Sequence, residues 1–154
     1  MTAGASLAPG RTLTRQDIRR LLPHRYPFLL VDRVVEWVLG VSLVACKLVS
    51  HDEPYFDGPD DVLPEMPGML VVEALAQAGG LLLLAGLDDP TGQVVYFASL
   101  DAVRWHAPVH PGDELRLRVT VVKSRGALHR VHAEAHVGDT LVCEGDLAAV
   151  LARP

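Results

Sequence analysis

Two spacings of apolar residues divide this chain. Leu115, Leu117, Val119 and Val121 alternate with Arg116, Arg118 and Thr120, and Val131, Ala133, Ala135 and Val137 alternate with Arg130, His132, Glu134 and His136. Successive side chains of an extended backbone point to opposite faces, so a period of two predicts strands with one buried face. Gly138-Asp139 turns the chain into a further strand over 140–151, and Pro111-Gly112-Asp113 follows an earlier one over 94–105. Upstream, the Val- and Leu-rich stretch 28–50 predicts two strands about a turn at Leu39-Gly40. The other pattern is the segment 69–87, apolar at nearly every position, which predicts a helix buried on all sides.

The boundaries carry their own signals. Thr14 followed by Asp17 resembles a capping box, with Leu13 and Ile18 placed as a hydrophobic staple, and Pro23 ends this short helix after Leu22. The stretch 51–67 holds Pro54, Gly58, Pro59, Pro64 and Pro67, a density that predicts an ordered loop and not a helix or central strand. Pro67 and Gly68 open the long helix, and Asp88-Asp89-Pro90 with Gly92 stop it. One long apolar helix and five or six antiparallel strands make an α+β domain over 13–154, in which a curved sheet is the one partner able to cover the helix. Residues 1–12 read as a flexible tail without the basic and apolar regions of a signal peptide.

Composition narrows the field. The net charge of −5 argues against nucleic acid, because no surplus of cations exists to displace counterions. Arg11, Arg15, Arg19, Arg20, Arg25 and Arg33 crowd the first quarter, either as a solvated helix face or as a docking surface for an acidic carrier. Cys46 and Cys143 sit in apolar runs without metal-like spacing and read as buried thiols of a reduced, cytoplasmic protein. The 69–87 segment barely reaches membrane-spanning length and carries Glu73, Gln77 and Gly79-Gly80, so a core helix accounts for it better than a membrane span.

Glu73 is the strongest chemical feature. A carboxylate five residues into a buried helix must be paired, hydrogen-bonded or neutral, and burial is expected to raise its pKa toward that of a general acid. The alternative is a Glu on the helix's polar stripe, bonded to Gln77 one turn later. The second feature is the helix start, where Gly68 leaves backbone N–H groups open to a ligand carbonyl. No metal site is expected: His132 and His136 share a strand face roughly 13 Å apart, too far for one ion. His106 and His110, flanking Pro108, read as solvent-facing, and neither a Gly-x-Ser-x-Gly elbow nor a phosphate loop occurs.

Several stretches resemble the FabZ type of (R)-3-hydroxyacyl-acyl-carrier-protein dehydratase. They are 22–34 (LPHRYPFLLVDRV), 67–80 (PGMLVVEALAQAGG), 96–101 (YFASLD) and 108–113 (PVHPGD), and the likeness spans about 13–151. It implies a hotdog fold, with the sheet wrapped around the helix, and a dimer whose two active sites lie at the interface. It implies no cofactor, the substrate being carried on the phosphopantetheine of an acyl carrier protein. Glu73 would be the acid, Gly68 the N–H donor to the thioester carbonyl and Gln77 the residue that orients Glu73, with Pro67, Met69, Phe97 and Ala98 along the substrate. The acyl chain would run in an apolar tunnel along the helix.

One element of the pattern differs. The family loop reads Phe-x-Gly-His-Phe-Pro, whereas this chain has Phe56-Asp57-Gly58-Pro59-Asp60-Asp61, with Pro59 at the histidine position. Loss of a well-placed proton-transfer group costs roughly two to four orders of magnitude in rate. Three readings follow: half of a heterodimeric dehydratase completed by a histidine-bearing homologue, a silent binding or structural subunit, or a stand-alone enzyme. The last would be a thioesterase, or a dehydratase using His51, Asp60 or Asp61.

Overall fold

The structure is a computed structural model that describes residues 12–56, 58 and 63–153. The tail 1–11 and the loop residues Asp57 and Pro59 to Val62, with the candidate bases Asp60 and Asp61, lie outside the described residues. Helix α1 (Arg15–Leu21) begins with a complete capping box: the Asp17 N–H donates to Thr14 Oγ1 and the Thr14 N–H to Asp17 Oδ2. Leu13 and Ile18 are both buried, as the staple requires. Strands β1 (Arg33–Val38) and β2 (Ser42–Leu48) form a hairpin, followed by a single 3-10 turn at Pro54–Phe56 inside the proline-rich loop. Helix α2 (Gly68–Ala85) comes next, then β3 (Val94–Trp105), β4 (Glu114–Arg125), β5 (Leu128–Val137) and β6 (Thr140–Ala152).

All six strands pair antiparallel in one sheet of order β1-β2-β4-β5-β6-β3. Their inward residues, among them Leu115, Leu117, Val131, Ala133, Ala135 and Leu147, are fully buried against α2. This is the expected α+β hotdog arrangement. The helix is long and apolar enough to cross a membrane, but 78% of it is buried within the domain. Gly86 caps its C-terminus, two residues before the acidic pair at 88–89.

The apolar run that suggested a strand from residue 28 behaves otherwise. Strand β1 starts at Arg33, and residues 28–31 instead cross α2. There the Gln77 side-chain oxygen accepts from the Leu30 N–H at 2.9 Å and its amide donates to the Phe28 carbonyl at 2.7 Å. A side-chain amide on the core helix thus replaces a strand partner for this backbone. Nearby, the Arg25 guanidinium donates to the carbonyls of Arg19, Leu22 and His24, which commits one of the clustered arginines to closing the end of α1. Arg15 and Arg33 pair with Asp32 and Glu114, while Arg19 and Arg20 face solvent.

Candidate functional site

Glu73 sits half-buried on α2, and Gln77, one helical turn on, donates to its Oε1 at 2.8 Å. Gln77 is 2% exposed, so its three hydrogen bonds fix the carboxylate to the 28–30 backbone. A second donor comes from the segment after α1: His24 Nε2 lies 3.3 Å from the same Oε1. His24 has no role legible along the chain beyond its place in the 22–34 motif, because 49 residues separate it from Glu73. The packing of α1 against α2 brings them together.

The acid-like pKa expected for Glu73 is reversed. Burial pushes its carboxyl up, but hydrogen bonds from His24 and Gln77 and the attraction of His24 outweigh burial and hold it below the ordinary range. In this chain Glu73 is a carboxylate at neutral pH.

Glu73 and His24 open onto a cavity of about 100 Å³. One wall is the α2 stripe Glu73, Ala76, Gln77, Gly80 and Leu84; the other is the start of β3, including Val95 and Phe97, with Leu22 and Pro23 closing the end. The positions i, i+3, i+4, i+7 of one helix face give it a long, mostly apolar floor. Of the residues expected at the site, the structure gathers Glu73, Gln77 and Phe97. Pro67, Gly68, Met69 and Ala98 do not line this cavity within one chain.

At the helix start, no side chain among the described residues caps the backbone, and the Pro67 carbonyl accepts from the Leu70 and Val71 N–H groups. A Cβ at Gly68 would come within 2.5 Å of Trp105 Nε1, so any larger residue there would have to displace the indole packed beside it. His51 lies in an exposed turn. His110, expected in solvent, is half-buried, its Nδ1 3.0 Å from the Pro64 carbonyl, because this contact anchors the loop leading to α2.

On the outer sheet face, His132, Glu134 and Glu144 bring ligand atoms within 4.8 Å of one another, a grouping distinct from the His132–His136 pair weighed in the sequence. Asp146 holds His132 Nδ1 at 2.8 Å and His106 holds Glu144 at 3.0 Å, so these charges are met by ion pairs on the face opposite α2.

Comparison with known proteins places these features in context. The FabA-like domain family matches residues 22–146. A 3-hydroxyacyl-[acyl-carrier-protein] dehydratase FabZ from Chloroflexus aggregans is 46% identical over 142 residues, covering 92% of this chain and 98% of that protein. The FabZ of a Roseiflexus species is 47% identical over 139 residues, covering 90% and 96%. Among solved structures, the dehydratase heterocomplex ApeI:P from Xenorhabdus doucetiae superposes with a TM-score of 0.71 at 20% identity, over 88% of this chain and 91% of that one.

Proposed function

The chain belongs to the FabA-like, FabZ-type family of hotdog dehydratases, and from that premise we propose that it is a dehydratase-type lyase subunit acting in the cytoplasm on 3-hydroxyacyl groups carried by acyl carrier protein in fatty-acid or polyketide synthesis. The carboxylate of Glu73, fixed by Gln77 at the head of an apolar cavity, carries this reading. A charged group held at the mouth of an apolar groove suits a substrate with a polar thioester end and an aliphatic tail. The exposed Arg19 and Arg20 suit an acidic carrier.

Elimination of water needs one group to take the C2 proton and another to protonate the leaving hydroxyl. With Pro59 at the family's histidine position, this chain supplies Glu73, and a homologous hotdog subunit bearing the Gly-His-Phe-Pro loop supplies the histidine across a dimer interface. That a solved neighbour of this fold is a dehydratase heterocomplex supports such pairing.

Co-expression with that homologue is the test. The purified complex is expected to hydrate a crotonyl carrier thioester at a rate neither chain reaches alone, and Glu73→Gln to abolish it, because an amide neither takes nor gives the proton. Changing the partner's own helix acid should matter far less, since the loop opposite it carries Pro59. If Glu73→Gln leaves the rate unchanged while the partner's acid is essential, this chain is a silent subunit.

A further inference from the structure

Both donors that reach Glu73 converge on one of its oxygens. Gln77 Nε2 and His24 Nε2 lie 2.8 and 3.3 Å from Oε1, and Oε2 has no partner among the described residues. A carboxylate only accepts, so the His24 nitrogen facing it carries a hydrogen. The other ring nitrogen, Nδ1, is buried with no hydrogen-bond partner among the described residues. The two donors pin the side chain and favour its ionised form, leaving the lone pairs of Oε2 free.

We propose that Glu73 is the general base of the reaction, taking the C2 proton through Oε2, and that His24 is the positioning residue that holds Oε1 for it. The inference rests on the acyl-thioester reading above and reassigns the role the family resemblance suggested. As the C2–H bond breaks, its electron pair forms the C2=C3 bond and the C3–O bond breaks. The departing hydroxyl takes a proton from the partner subunit's loop histidine, which enters the step protonated, and leaves as water. Glu73, now a carboxylic acid, returns its proton to solvent. Around the cavity, α2 contributes Glu73 as its titratable group and the 22–24 segment contributes His24; the start of β3 contributes Gln93, Val94, Val95 and Phe97, none of them charged.

Proton abstraction can be observed without elimination, which separates this claim from the need for a partner. The full-length protein is incubated in D2O with 3-hydroxybutyryl-pantetheine, and deuterium at C2 is followed by NMR across pH. Exchange is expected at least about tenfold above buffer, to fall to the buffer rate in Glu73→Gln, and to decline at low pH as Glu73 protonates. In His24→Phe, which removes the donor, that decline should move to higher pH, whereas His24→Gln retains an N–H donor and should keep the wild-type profile. Chemical-shift changes on α2 report binding independently. A thioester that binds on α2 without exchanging overturns the base assignment and leaves the acyl-binding reading standing. A thioester that does not bind overturns the reading beneath it. Exchange in His24→Phe with the wild-type pH profile overturns the role of His24, and the His24→Gln profile decides the same point should His24→Phe not fold.

Discussion

Replacing Gln77 by Leu tests how far one side chain joins the fold to the site. The change keeps the volume but removes the acceptor for Leu30 N–H and the donors to the Phe28 carbonyl and Glu73 Oε1. The Leu30 N–H is buried, and leaving such a donor unmet costs roughly 1–3 kcal/mol. The Phe28 carbonyl is half-buried and recruits water, so its loss is about 0.5–1.5 kcal/mol. Added apolar burial by Leu at a site 2% exposed returns on the order of 1 kcal/mol. The balance is a loss of about 2 kcal/mol, or a fall in Tm of roughly 6–8 °C for a domain of this size. Thermal unfolding at fixed protein concentration measures it, since assembly also moves Tm. Amide exchange at Leu30 should accelerate more than exchange in β4 and β5. A Tm within 2 °C of wild type, with Leu30 still protected, would refute the reasoning, because the backbone would then have a partner other than Gln77.

Gly68→Ala should destabilise by about 1–3 kcal/mol through its clash with Trp105, and the penalty should vanish in a Trp105→Ala background, as a double-mutant cycle in urea would reveal. Burial, with Glu144 nearby, raises the Cys143 thiol to about 11, and burial raises Cys46 as well. Neither cysteine should react with iodoacetamide at pH 8 until denaturant is added; rapid native alkylation would contradict their burial. The hydrogen bond that His132 donates to Asp146 raises its pKa above the ordinary 6.5. Its contribution to stability is therefore complete below pH 6.5 and is lost as pH rises through the folded value. His132→Gln should flatten that decline in a series of melts from pH 6 to 9, and an unchanged slope would show that the pair contributes nothing.

The elements that could be read along the chain are those decided locally. Alternation in β4 and β5, the Thr14–Asp17 capping box and the uniformly apolar α2 each depend on neighbours within a few residues, where periodicity and short-range hydrogen bonding leave one low-energy choice. The motifs around Glu73 and Gln77 likewise gave the hotdog fold and the pairing of those two side chains. Elsewhere the decision lies in contacts between distant parts of the chain. Residues 28–31 are as apolar as a strand, yet Gln77 claims their backbone from across the core. Trp105 takes the space above Gly68, and His110 turns from solvent to the Pro64 carbonyl. His24 reaches Glu73 because α1 lies against α2, and this contact reverses the sign of the carboxylate's pKa shift. Burial can be inferred from a hydrophobic pattern, but a hydrogen-bond partner 49 residues away exists only once the chain has folded. For a buried carboxylate, that partner decides between acid and base.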